Sequence, residues 1–295
     1  MKKILITGLG GFTGHYVKDV FEKKGYEIIG LIKSEEERVT RRDIICDLTN
    51  KESIKSAIGN LQFNGVLHLA ALSFVGHANP LDFYAVNVIG TQNLLEVLHE
   101  TQKSLHKVVL ASSSNVYGNI DSEDAISETA PFAPVSHYAI SKVAMEFVAR
   151  TYFEKMPIII TRPFNYTGTG QTELFLIPKI VAHYRENKAQ IELGNINVAR
   201  DFSDVRDVAT TYLALYKSST KSEVINICSS EAYTIREILS LMDKIAGYEM
   251  KVLVNKDLMR GNEIKVSRGD ATKLKSTILL NQPFTMRETL EEMYL

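Results

Sequence analysis

Charge of one sign is missing from this chain. It carries 34 basic and 35 acidic residues over 295, for a formal charge of −1. A balance this even excludes the basic footprint of a nucleic-acid binder, and the longest like-charge run is only Glu35-Glu36-Glu37. Long apolar runs are missing too. Stretches such as VLHLAALSFVG are too short to span a bilayer, so no membrane partner is expected. The opening MKKILITG breaks at Gly8 with no small-residue cleavage site, and reads as a first strand rather than a signal segment. Cysteine is scarce. Cys46 and Cys228 sit far apart in apolar runs, as expected of buried free thiols in a reducing cytoplasm. The seven histidines never fall at metal-ligand spacing, so no metal is expected. No internal repeat, low-complexity tract or long linker interrupts the chain.

What remains is ordinary globular composition, 45% hydrophobic and 23% charged, arranged as alternating elements. KILIT, EIIGLIK, DIICDL, GVLHLAA, KVVLASS and PIIITRPF read as strands. FTGHYVKDVFEKKG, residues 81–103 and residues 138–154 carry helical spacing. Such alternation predicts an α/β fold, a Rossmann-type doubly wound parallel sheet covered on both faces. Ligands of such a sheet bind at the carboxyl ends of its strands, where strand order reverses. After about residue 165 the texture changes. The expectation is a dinucleotide-binding domain over 1–164, with returning segments near 200–228. A smaller interleaved lobe over 165–295 would hold the substrate. TIREILSLMDKIAG carries a threonine cap, a glutamate three residues later and a terminal glycine, the marks of a complete helix.

TGLGGFTG, residues 7–14, places Gly8, Gly11 and Gly14 between the first strand and the first helix. There glycine permits a tight turn, close approach of backbone to a pyrophosphate, and close helix packing, while the helix N-terminus favours the phosphates. The second strand ends in Lys33 and Ser34, where an NAD site usually has an acid, which favours NADPH over NADH. Asp47 closes the third strand, either holding the adenine amino group or capping the segment after it.

YAISK sets Tyr138 and Lys142 four residues apart on one helical face. A phenol needs help to work near neutral pH, and a nearby ammonium favours the phenolate. Together with the glycine loop and the serines of SSSNVYG, this is acid–base chemistry beside a dinucleotide.

TGLGGFTG, HLAA, NVIGTQNLLE, SSSNVYG, YAISK, RPFNYTGTGQ and RDFSDVRDV together resemble the extended short-chain dehydrogenase/reductases that modify nucleotide sugars. The resemblance implies a catalytic trio of Ser113, Tyr138 and Lys142. It adds Phe12, Thr13, Leu48, Leu69, Ala70, Ala71 and Asn87 to the cofactor site, beside the glycines, Lys33 and Asp47, and has Tyr138 and Lys142 also contact the cofactor, Lys142 holding the nicotinamide ribose. Family members that dehydrate sugars carry a glutamate two residues after the catalytic hydroxyl. This chain has Asn115, which cannot act as a carboxylate base. The second half is most similar to the GDP-4-keto-6-deoxy-D-mannose reductases. That similarity implies contacts of Asn165, Arg200 and Arg260 with the substrate diphosphate, although MRGNEI has Gly261 where the family usually has proline. Arg200 could instead pair with Asp204 or Asp207. Gln171 could read substrate or finish its loop, and His137 could touch a sugar or face solvent. The activity implied is NADPH- or NADH-dependent reduction of a C4 ketone on a nucleotide-linked 4-keto-6-deoxy sugar. Rival readings are a 4-epimerase that retains NAD and a dinucleotide sensor without catalysis. The resemblance also implies a homodimer built on the helices near 81–103 and 138–154.

Overall fold

The computed structural model describes residues 2–74, 77–120, 124–258, 265–280 and 282–295. Seven parallel strands form the main sheet: β1 (Lys3–Thr7), β2 (Glu27–Ile32), β3 (Ile44–Ile45), β4 (Gly65–His68), β5 (Lys107–Ala111), β6 (Ile158–Pro163) and β10 (Glu223–Ile227). Their order is β10-β6-β5-β4-β1-β2-β3, so the direction of winding reverses between β1 and β4. Side chains alternate across the pleat. Ile4, Ile6, Leu67, Val109 and Ile159 pack on one face, under α1 (Phe12–Glu22) and α7 (Val205–Lys217). Leu5, Val66, Val108, Leu110 and Ile160 pack on the other, under α2 (Lys51–Ile58), α4 (Gly90–Thr101) and α5 (His137–Arg150). Both faces are covered by helices, which gives the doubly wound α/β arrangement. Among the described residues, no helix is long and apolar enough to cross a membrane.

Two local departures from the sequence reading have clear causes. DIICDL pairs only over Ile44–Ile45. Just before it, the buried Asp43 carboxylate accepts from the backbone of Gly30, Val39 and Thr40, turning the chain at the point where a longer edge strand would begin. The helix expected over 81–103 runs as α3 (Pro80–Phe83), a π-helical stretch (Tyr84–Ile89) and α4. The widened turn carries Asn87 inward, where its amide bonds both backbone groups of Leu72 and the Ser141 hydroxyl. Such bulges concentrate at functional sites.

The second half builds two small sheets. β9 (Ala199–Asp204) pairs with β7 (Asn165–Thr167), β11 (Ala232–Thr234) and β13 (Val266–Ser267), while β8 (Gln190–Leu193) pairs with β12 (Lys251–Val254). A separate apolar core joins α6 (Leu176–Arg185), α8 (Ile235–Ala246) and α10 (Met286–Tyr294). Between these segments the chain returns to the main sheet through α7, β10 and α9 (Thr272–Thr277).

Candidate active site

One cleft of about 2040 Å³ opens at the carboxyl ends of β1, β2, β4, β5 and β6, and the small sheets form its far wall. A pocket for a single small ligand is usually about 300–1,000 Å³, so this cleft has room for two. Gly8, with φ +70°, turns the chain out of β1. A Cβ there would lie 2.8 Å from the Ala70 backbone, and one on Gly14 would lie 2.4 Å from the Leu9 carbonyl oxygen. The loop is therefore closed to side chains at both places. α1 follows with no side-chain cap and no acid in its first turn, which leaves its N–H groups and positive end for an anion. These features fit a dinucleotide pyrophosphate.

The other expected cofactor residues gather around this loop. Gly11, Phe12, Thr13, Lys33, Leu48, Leu69, Ala70 and Ala71 line the cleft. Thr13 Oγ1 lies 2.8 Å from Tyr166 Oη, and the Phe12 ring stacks on Tyr166 at 6.2 Å. Ala70 N donates to Thr7 Oγ1, which ties the β4 exit to β1. Asp47 also lines the cleft and accepts from the amide and hydroxyl of Thr49. Asp47 does not cap the helix that follows, because Asn50 does so, accepting from Glu52 N and Ser53 N. Asn87, held by Leu72 and Ser141, stands behind the cleft wall and not on it.

At the end of β5, Ser113 opens a single 3-10 turn and its Oγ accepts from Asn115 N. Its hydroxyl also stands beside the phenol of Tyr138, on the first turn of α5. One turn on, Lys142 Nζ donates to the Ala111 carbonyl at 2.7 Å. The three side chains expected to act together are thus gathered where β5 meets α5, all buried at the cleft floor. Burial pushes the Tyr138 phenol up to about 12, while the adjacent Ser113 hydroxyl pulls it back down. Burial pushes the Lys142 ammonium down to about 8, opposed by the Glu146 carboxylate.

Beneath them lies a polar layer that the sequence reading missed. Ser112 donates to Glu146 Oε1 at 2.7 Å. Glu146 is fully buried and accepts two more bonds from Arg162 Nε and Nη2, at 2.8 and 2.7 Å. The Arg162 guanidinium lies between the Tyr117 and Phe132 rings and bonds Tyr117 Oη, which donates to Asn226. His68, also missed, bridges Thr7 and Thr91, and burial drives its imidazole down to about 3, so it is neutral. Both groups left a trace in the sequence. Glu146 is four residues past Lys142, on the same helical face, and Arg162 is a charge inside an apolar strand.

The expected substrate residues divide. Asn165 and Arg200 line the cleft, Asn165 Nδ2 donating to the Asp201 carbonyl and Arg200 Nη1 to the Ala199 carbonyl. The two acids weighed as partners of Arg200 have bonds elsewhere. Asp204 takes two bonds from Arg206, and Asp207 accepts from Phe284 N. Gln171 reaches the cleft wall, but both ends of its amide close the local loop, to Thr167 Oγ1 and the Tyr166 carbonyl. Of the two readings, the loop-finishing one describes these bonds. His137 is exposed and its Nδ1 meets Tyr84 Oη at 2.9 Å. Arg260 lies outside the described residues.

Known proteins are similar to this chain over nearly its full length. A relative named GDP-6-deoxy-D-talose 4-dehydrogenase, from Aggregatibacter actinomycetemcomitans, is 35% identical, with 99% of this chain and 97% of the relative covered. GDP-6-deoxy-D-mannose reductase of Pseudomonas aeruginosa is 29% identical over 98% and 95%. Among solved structures, RMD of Pseudomonas aeruginosa complexed with NADPH superposes with a TM-score of 0.86 at 26% identity, covering 100% of this chain and 98% of that one. UDP-glucose 4-epimerase of Thermus thermophilus, in complex with NAD, superposes with a TM-score of 0.83 at 25% identity, over 99% and 98%. Residues 5–293 match the family model described as GDP-mannose 4,6 dehydratase. A match from β1 to α10, on a doubly wound sheet with a glycine loop at its switch point, settles the kinship: this chain belongs to the GDP-mannose 4,6-dehydratase family of extended short-chain dehydrogenase/reductases.

Proposed function

We propose that this protein reduces the C4 ketone of a nucleotide-linked 4-keto-6-deoxy sugar, with GDP-4-keto-6-deoxymannose as the substrate and NADPH or NADH as the reductant. The observation that carries this reading is the Ser113–Tyr138–Lys142 group at the floor of a two-ligand cleft, with Asn115 beside it on the cleft wall. An amide cannot take up the proton that a dehydration must move, so this segment supports plain ketone reduction. The names of the two curated relatives support the guanosine diphosphate sugar.

In this reading the glycine loop and the first turn of α1 hold the dinucleotide pyrophosphate. Bound there, the reduced nicotinamide supplies the hydride. Ser113 donates a hydrogen bond to the ketone oxygen and steadies its developing negative charge. Tyr138, kept protonated by burial, gives its phenolic proton to that oxygen as the alkoxide forms. Lys142 places a positive charge one helical turn away, which stabilises the tyrosinate left behind. Asn165 and Arg200 suit a diphosphate, which offers many acceptor oxygens.

The test follows nicotinamide absorbance with GDP-4-keto-6-deoxymannose and each reduced cofactor. Stoichiometric oxidation is expected. No oxidation, with NAD released from the denatured protein, would instead establish the retained-cofactor epimerase. The same assay across pH has a predicted shape. Lys142 is charged below about 8 and loses its proton as pH rises through that value, so kcat/KM falls on the alkaline side near pH 8. A profile flat to pH 10 or so would overturn the assignment of this limb to Lys142.

A homodimer is part of the proposal. Ile89, Ile140 and Phe147 stand 50%, 40% and 55% exposed on the π-helical stretch and α5, which pack against each other. Apolar side chains on two adjacent helices suit a twofold helical interface. Sedimentation as a monomer at micromolar concentration would overturn it.

A further inference from the structure

We propose that Glu37 selects the cofactor, and that this protein binds NADH in preference to NADPH. The inference rests on the reading that the cleft holds a nicotinamide dinucleotide. In such a sheet the adenosine ribose lies between the end of β2 and the glycine loop. A carboxylate there takes the ribose hydroxyls, whereas a 2′-phosphate needs a cation.

The residues immediately after β2, Lys33 and Ser34, favour the phosphate. The fold places an acid in that corner all the same. Residues 35–37 form a single 3-10 turn that brings Glu37 back over the strand end. Glu37 Oε2 accepts from Lys33 N at 3.0 Å, which holds the carboxylate at the end of β2. Its backbone also rests on the glycine loop, because a Cβ added to Gly10 would lie 2.6 Å from the Glu37 carbonyl oxygen and 2.8 Å from its Cβ. Glu37, Gly10 and Lys33 line the same cleft. Among the described residues, Glu37 Oε1 has no partner. It is an acceptor-only atom facing a site where ribose would offer two hydroxyl donors.

The groups that could receive a phosphate are drawn away. Arg38 grips Glu35 through Nε and Nη2 and donates Nη1 to the Asp43 carbonyl at 2.7 Å. Arg42 pairs with Glu27 at 3.4 Å. Lys33, which lines the cleft, remains exposed, with the Glu37 carboxylate bonded to its own backbone N–H. A 2′-phosphate would bring about two further negative charges against that carboxylate. NADH brings none, and gains charge-assisted bonds from its hydroxyls.

Direct titration of the purified protein with NADH and with NADPH tests this without any sugar substrate. Nicotinamide fluorescence gives each dissociation constant. NADPH is expected to bind at least about tenfold more weakly than NADH. Glu37→Gln keeps the shape and removes the charge, and should bring the two constants to within about threefold of each other. Lys33→Ala should leave the preference for NADH standing. Equal or tighter binding of NADPH by the wild type overturns the proposal, as does an unchanged ratio in Glu37→Gln. So does Lys33→Ala if it weakens NADPH alone by about tenfold. If neither cofactor binds, the dinucleotide reading of the cleft falls, and this inference with it. If both bind with the expected ratio but no ketone is reduced, only the proposed reaction fails.

Discussion

Replacing Tyr138 by phenylalanine is expected to lower kcat by about 10²–10⁴-fold while leaving cofactor affinity within a factor of about two. The ring is buried and packs against Phe83 at 6.1 Å, and phenylalanine keeps that packing. Only the hydroxyl is lost, and with it the phenolic proton that stands beside Ser113. The remaining rate would come from hydride transfer to a ketone polarised by Ser113 alone, with water as the proton source. The alkaline limb should vanish in this variant, because Lys142 no longer has a tyrosinate to stabilise. Single-turnover kinetics and a cofactor titration on the same preparation check both halves of the prediction. A variant with near-normal kcat would show that the proton reaches the alkoxide by another route.

Neutralising Glu146 tests the layer beneath. Glu146→Gln leaves the Arg162 guanidinium, 1% exposed, buried without its counter-charge. Removing one member of a buried pair costs about 3–5 kcal/mol, because the survivor keeps its desolvation penalty and loses the attraction that offset it. Glutamine can still accept from Ser112 or from one guanidinium nitrogen, though not with the strength of a carboxylate. The loss should appear as a lower urea midpoint with an unchanged slope. A second readout separates this from general weakening. Glu146 is the group that opposes the downward push on Lys142, so the alkaline limb of the folded variant should move to lower pH. The double variant Glu146→Leu/Arg162→Met should regain most of the stability, since an apolar pair of similar volume pays no desolvation. It should not restore the limb. A loss under about 1 kcal/mol in the single variant would show that solvent reaches the pair.

The sequence by itself determined the features that depend on near neighbours. The alternation of strands and helices set the doubly wound sheet, since burial on both faces requires near-continuous apolar strands. TGLGGFTG between a strand and a helix located the mouth of the cleft. A four-residue spacing placed Tyr138 and Lys142 on one face of α5. The capping box of Thr234 and Glu237, closed by Gly247 at φ +77°, bounded α8 where the sequence placed it. Each of these follows from geometry repeated within a few residues.

Tertiary structure alone decided which polar groups met. Nothing local pairs Ser112 with Glu146, 34 residues on, or Glu146 with Arg162, 16 residues on. They bond because β5, α5 and β6 pack together and buried charges must find partners there. Gln171 faces the cleft by position, yet its amide is used by its own loop. Lys33 stands where a phosphate-binding cation belongs, yet a single turn of 3-10 helix returns Glu37 to the same corner. Spacing along the chain fixes which face a side chain shares. Its partner is fixed by packing between elements distant in sequence, and for a buried polar group in this protein that packing decided the chemistry.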